Sequence, residues 1–319
     1  MRVDVHAHLF PAEYLKLLAG FGGAAGPSFI SRLRGGDSDE EIRERLAMMD
    51  RAGVDKEILS VSFSVPSTTE EAKAVAAARC VNDLYAAIVR RHPKRFAAFA
   101  TVPLPFVDAA IAETGRALDQ LGFAGVATTT EVLGRPLADP ALERFFAELD
   151  RRQAALFIHP SGSALHSPPM ERGNFAWSLG APFEDALCLL QLAQAGTPQR
   201  FGRMKIISAH LGGCVPFLME RLAHHDVLPA GWGPQRPALS EAEARLFYYD
   251  TVNGHAPALR CSRDTVGAER LLLGTDVPFN RGDGHQKMVE YVAASGLPAR
   301  EIAAIYGENA LRLFGGRLG

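Results

Sequence analysis

The chain begins Met1-Arg-Val-Asp-Val-His6-Ala-His8-Leu-Phe-Pro11, with two histidines one residue apart at the end of a short apolar run. Side chains of a strand alternate between faces, so His6 and His8 project to the same side and can bind one metal ion without backbone distortion. A lone His-x-His also occurs as two solvated or core histidines, so the remaining metal-competent residues decide the matter. His159 closes the run Leu156-Phe-Ile-His159-Pro160, where proline stops the ladder. His210 closes Ile206-Ile-Ser-Ala-His210-Leu-Gly-Gly213, and Asp276 closes Leu271-Leu-Leu-Gly-Thr-Asp276-Val-Pro278. Each polar residue sits where an apolar strand ends. Buried imidazoles and a buried carboxylate need partners or a metal to offset their lost hydration. Their convergence therefore predicts a metal-centred site.

Eight apolar runs are predicted as the strands that must position these residues: Val3–His6, Glu57–Val61, Phe96–Thr101, Phe123–Ala127, Ala155–His159, Lys205–Ala209, Leu246–Thr251 and Leu271–Thr275. Several are almost wholly apolar, as strands buried on both faces are. Between them helical periodicity predicts Glu40–Arg51, Glu70–Arg91, Val107–Gln120, Pro140–Arg152, Phe183–Ala195, Val215–His225, Ala256–Val266 and Gln286–Ala294. Asp139-Pro140 has the form of an N-cap followed by proline at the first helical position, and Gly53 suits a helix C-terminus. Eight strands alternating with eight helices predict an α/β fold, a single (β/α)8 TIM barrel over residues 1–319, with a doubly wound sheet as the alternative. In such barrels the site lies on the C-terminal face, where all five polar residues are placed. Gly20–Gly36, Ser161–Pro182 and Pro229–Pro237, rich in Gly and Pro, are expected to be loop excursions over that face.

Composition excludes several classes of function. The 319 residues are 47% hydrophobic and 22% charged, with a net charge of −2, giving no electrostatic case for nucleic acid or an anionic membrane. No apolar run is long enough for a membrane span, and the N-terminus lacks the pattern of a signal peptide, so a cytoplasmic protein is expected. Cys80, Cys188, Cys214 and Cys261 are scattered with no CxxC pair and are expected to be reduced thiols used in packing.

Together, Asp4-Val-His6-Ala-His8-Leu-Phe-Pro11, Met49-Asp-Arg-Ala-Gly-Val-Asp55, Phe157-Ile-His159-Pro160, Ala209-His210-Leu-Gly-Gly213, Gly274-Thr-Asp276-Val-Pro-Phe279 and Gly307-Glu-Asn-Ala310 resemble the amidohydrolase superfamily over essentially the whole chain. The resemblance is to the amidohydrolase-2 branch typified by aminocarboxymuconate-semialdehyde decarboxylase. It implies that His6, His8, His159 and Asp276 ligate one divalent metal, zinc or else manganese. It further implies that His210 sits beside the metal-bound water as acid/base or electrostatic partner. Asp276 is a ligand, a proton acceptor or both. Two-metal members use a bridging carboxylated lysine on the fourth strand, whereas no lysine lies between Lys94 and Lys205 here. Glu131 is a weaker substitute, so a single metal is expected.

Trp177, followed by Ala181-Pro182-Phe183-Glu184, is similar to the tryptophan-containing loop of the decarboxylase branch and is a candidate for stacking on a flat acid. A carboxylate substrate calls for an arginine. Arg221 matches one the family keeps, while Arg32 and Arg34 are candidates for an early-loop arginine with no clear counterpart. His255 follows the seventh strand and is a candidate substrate contact. His92, His224 and His225 are expected on helix surfaces. The expected activity is decarboxylation of a small unsaturated or aromatic carboxylic acid. The alternative is metal-dependent hydrolysis of an amide, ester or lactone, and the remaining alternative a metal-binding scaffold without catalysis. Relatives of this kind suggest a homodimer.

Overall fold

The computed structural model describes residues 1–21, 32–162, 168–223 and 239–318. His224, His225 and the stretch Pro229–Pro237 fall outside these residues, as do parts of the other two expected excursions.

Ten strands occur among the described residues: β1 Val3–His8, β2 Lys56–Ser60, β3 Phe96–Thr101, β4 Gly125–Thr129, β5 Glu131–Val132, β6 Arg135–Pro136, β7 Ala155–His159, β8 Lys205–Ser208, β9 Tyr248–Asp250 and β10 Leu271–Leu272. β5 and β6 form a small antiparallel hairpin. The other eight make one parallel sheet in the order β1-β2-β3-β4-β7-β8-β9-β10, each hydrogen-bonded to its sequence neighbour in the sheet. The circle closes between first and last strands, where the Val5 amide donates to Leu273 O (2.9 Å), His8 to Val277 O (2.7 Å) and Asp276 to His6 O (2.8 Å). Sequential parallel strands linked by helices and closed on themselves are a TIM barrel, as the alternation predicted.

The barrel interior is apolar because the strand sequences are. Val3, Val5, Ile58, Phe99, Phe157 and Ile207 belong to one buried cluster. A larger buried cluster, including Leu59, Val81, Phe145, Leu192 and Val292, lies where the outer faces of the strands meet the helices. The principal helices run over Asp39–Ala52, Glu71–Arg91, Val107–Asp119, Glu143–Arg151, Ala181–Gln194, Ala256–Val266 and Asp283–Ala293. Ser38 caps the first of these by accepting from the Glu41 amide, and Gly53 ends it at φ 66°, a left-handed conformation that glycine adopts without a Cβ penalty.

Several boundaries differ from expectation. The fourth strand begins at Gly125 instead of Phe123, and its glycine has a reason: a Cβ there would lie 2.5 Å from the carbonyl oxygen of Ala155 on β7. The last ladder ends at Leu272, because the Gly274 amide turns to the Thr251 hydroxyl at 3.1 Å. Helical structure expected from Val215 starts at Met219. The helix Ala12–Ala19 and the C-terminal helical turns from Ala299 to Leu318 were not anticipated, being short segments without a long periodic stripe.

Candidate metal centre

His6 and His8 leave β1 with their rings together, Nε2 to Nε2 at 2.9 Å. Strict alternation accounts for the two rings sharing a side, but not for the placing of Val5 beside them. The β1–β2 register shifts between Asp4 and Ala7, a bulge that lets Val5 join the interior cluster while the next ring, His6, also points inward against Phe157 at 5.1 Å. Asp276 arrives from the closing strand at φ 61° and brings Oδ1 to 3.0 Å from His8 Nε2 and 3.3 Å from His6 Nε2. His159, last residue of β7, completes the group with its ring 5.1 Å from both His6 and His8. His6, His8, His159 and Asp276 each offer a ligand atom within 4.8 Å of all the others, and the three imidazoles are at most 3% exposed.

Each histidine of this group spends its Nδ1 on an outer partner. His6 Nδ1 is 2.6 Å from Asp250 Oδ2, His8 Nδ1 is 3.1 Å from Ser60 Oγ, and His159 Nδ1 is 2.8 Å from the Pro160 carbonyl. A carboxylate and a carbonyl only accept, so the His6 and His159 protons sit on Nδ1 and Nε2 is turned to the centre. Three imidazoles and one carboxylate oxygen, with each ring held from outside through Nδ1, make up the donor set that a divalent metal site uses. Without a cation these groups perturb one another strongly. Burial disfavours the charge on His6, but the carboxylates of Asp250 and Asp276 outweigh it and push the pKa up to about 10. Burial drives His8 down to about 4 and His159 well below its ordinary value, both also repelled by neighbouring imidazoles. Asp276, despite burial, is held well below the carboxylate range by His6 and His8.

His210 stands beside the four. Its ring is 5.2 Å from His6 and 5.3 Å from His159, and its Nδ1 is 2.8 Å from Asp185 Oδ2. The backbone is left-handed at both His210 (φ 53°) and Leu211 (φ 57°), held by the His210 amide donating to Asp250 Oδ1 at 3.0 Å. Non-glycine residues in that region are costly and persist where the surroundings over-determine them. Asp250 thus fixes both the His6 ring and the His210 backbone.

A second buried trio, Asp4, Glu57 and His285, lies behind β1. A cation already serves it: Arg45 donates through Nε to Glu57 (2.5 Å) and through Nη1 to the His8 carbonyl (2.6 Å). Asp4 accepts from the His6 and Thr275 amides, tying first strand to last. This network supports the centre from outside the barrel.

The other expected residues fall at the rim. Trp177 is half exposed on a π-helical turn over Ala176–Gly180, its ring 5.1 Å from Phe63, which is in turn 6.2 Å from His159. Phe10 and Phe279 extend this aromatic wall around His8. Arg221 is exposed on the helix Met219–Ala223, and His255 is exposed before Ala256–Val266; neither pairs with the cluster among the described residues. Arg34 is held by Glu40 and Glu44. Glu131 sits in the β5–β6 hairpin and is not among the clustered ligand atoms. Three residues escaped the sequence reading: Ser60, Asp185 and Asp250. The rule that singled out Asp276, an acid ending an apolar strand, also applies to Asp250 in Phe247-Tyr-Tyr-Asp250.

Residues 3–316 match the family described as Amidohydrolase. The chain belongs to the amidohydrolase family. It is an enzyme of the amidohydrolase-2 type, with decarboxylases among its relatives. It is 27% identical over 303 residues to 2-amino-3-carboxymuconate-6-semialdehyde decarboxylase of Dictyostelium discoideum, covering 89% of this chain and 83% of that one. A structure of 2,6-dihydroxybenzoate decarboxylase complexed with 2,6-dihydroxybenzoate superposes with a TM-score of 0.80 at 26% identity, covering 98% of both chains. A dihydroxybenzoic acid decarboxylase from Polaromonas sp. JS666, solved with bound manganese and 2-nitroresorcinol, shares the fold at a TM-score of 0.81 and 22% identity, covering 98% of this chain and 96% of that one.

Proposed function

We propose that this amidohydrolase is a mononuclear metal-dependent decarboxylase of a small aromatic or unsaturated carboxylic acid. The observation that carries the reading is the convergence of His6, His8, His159 and Asp276, whose ligand atoms lie within 4.8 Å of one another, with each imidazole braced through Nδ1. These four residues would hold one divalent ion, with manganese favoured by the manganese-bound relative and zinc by the nitrogen-rich donor set. When bound, the ion supplies a positive charge that orients the carboxylate and steadies charge developing on the substrate.

The chain's own residues do the rest. Phe63, Phe279 and Trp177 offer apolar faces to a flat ring and exclude water beside the polar cluster. His210 delivers a proton from Nε2 to the ring carbon that bears the carboxylate. The bond from that carbon to the carboxylate then breaks, its electron pair returns to the ring or diene, and carbon dioxide leaves. Asp276 balances the positive charge of the cluster and is the second candidate for carrying a proton. Arg221 and His255 are proposed contacts for the outer end of the substrate, and Arg221→Ala is expected to raise KM for acidic substrates with little change in kcat. The homodimer also stays a proposal, testable by light scattering. Phe175, Leu179, Phe183 and Leu187, recurring every four residues and 38–50% exposed, offer an apolar face that such a dimer would bury.

The test is product analysis with carboxyl-labelled 2,6-dihydroxybenzoate and related acids on manganese- or zinc-loaded protein. One labelled carbon dioxide per acid consumed is expected. Intact acids together with hydrolysis of lactones or amides would replace the decarboxylase reading by a hydrolase.

A further inference from the structure

Asp185 lies in the second turn of the helix Ala181–Gln194 and is buried. Its Oδ2 faces His210 Nδ1 at 2.8 Å, while Oδ1 has no hydrogen-bond partner among the described residues. Neighbouring Cys188 is also buried, and its thiol is pushed upward by burial and by the charges of Asp185 and Glu184. A carboxylate with one satisfied oxygen in such a place is expensive, and an apolar side chain would pack there at lower cost. Burial raises the Asp185 pKa to about 7, and the His210 ring works against that rise. The imidazole is thus the partner that makes the buried charge tolerable. The geometry gains something in return: with Nδ1 committed to Asp185 and the backbone amide committed to Asp250, the ring is held 5.2 Å from His6 and 5.3 Å from His159, and Nε2 is the nitrogen left for chemistry.

We propose that Asp185 is a positioning residue for the proton-transferring group, fixing the His210 tautomer and aiming Nε2 at the substrate carbon. The proposal rests on the decarboxylase reading for its kinetic consequence, but not for its structural one. An oriented histidine backed by a carboxylate places the proton at one atom, whereas an unbacked ring divides between tautomers and rotamers.

Two measurements on zinc-loaded protein test it. Nitrogen-15 spectra of labelled imidazoles, with the His210 signals assigned through His210→Gln, should show a protonated Nδ1 in the wild type that is lost or exchanged for the other tautomer in Asp185→Asn. On an acid that the wild type decarboxylates, Asp185→Asn should lower kcat by roughly 10²-fold or more, the scale of a lost proton-transfer group, with KM and zinc content retained. Asp185→Glu, which keeps the charge, should recover part of the loss. An unchanged His210 tautomer in Asp185→Asn would overturn the proposal, as would wild-type kcat in both variants. Parallel loss of zinc and fold in both variants would make Asp185 a structural residue and overturn it as well. If the wild type decarboxylates nothing, the functional reading fails while the spectra still decide the role of Asp185.

Discussion

At the scale of single residues, the proposed ligands hold one another's charges in a balance that a cation would change. In the metal-free protein His6 keeps its proton up to about pH 10, because Asp250 and Asp276 outweigh the cost of burial. A metal must displace that proton, so loading releases it. Apparent affinity should therefore rise with pH, by up to about tenfold per unit below the His6 pKa, and fall as pH drops. Titration calorimetry with manganese at several pH values, in buffers of different ionisation enthalpy, measures both the slope and the released proton; a flat profile would contradict the assignment of His6. His210 responds differently, since it is braced by Asp185 outside the proposed ligand set. His210→Asn should keep the metal and lose roughly 10²-fold or more in turnover, checked by metal analysis beside carbon dioxide release. His6, His8, His159, His210 and Asp276 were legible in the sequence because each is a polar residue closing an apolar strand. Asp185 was not, because a single acid within a helical pattern is ordinarily on the solvated face and gives no sign of facing a histidine.

At the scale of elements, strand ends and the turns after them set the geometry. The alternation rule correctly put His6 and His8 on one side, but the register shift in β1 that turns both Val5 and His6 inward has no sequence signature. Gly274 is where the closing strand passes the centre. A Cβ there would lie 3.0 Å from His6 Cβ and 2.9 Å from Asp250 Cβ, atoms that cannot swing away. Gly274→Ala should therefore cost about 1–3 kcal/mol by overpacking and weaken metal binding as well, read by denaturant unfolding and metal titration. Gly213, at φ 63°, allows the chain after His210 to pass the Pro182 carbonyl, which a Cβ would meet at 1.7 Å. Most strand and helix positions were readable from apolar runs and periodicity. The ends of β4 and β10 depend on contacts between distant segments, which a local pattern does not carry; the missed hairpin β5–β6 is local, but its two-residue strands around Leu133-Gly134 are too short to show an alternation.

At the scale of the whole molecule, the barrel closes between β1 and the segment that carries Asp276, and the proposed ligands straddle that seam. A bound ion would staple the first and last strands together. Metal removal by a chelator should accordingly lower the melting temperature, and readdition at a hundred times the dissociation constant should restore about 2.7 kcal/mol. Calorimetry of the chelated and reloaded protein checks this, and identical curves would argue against a site at the seam. The fold was legible because eight apolar runs separated by helical stretches leave few alternatives to a barrel, and the family match along residues 3–316 agrees with that architecture.

The most direct test of the central claim is the metal content of wild-type protein and of Asp276→Ala, prepared in parallel without chelators and measured by elemental analysis. About one manganese or zinc per chain is expected in the wild type, lost or sharply reduced in the variant. Two ions per wild-type chain, no ion at all, or undiminished metal in Asp276→Ala would contradict it.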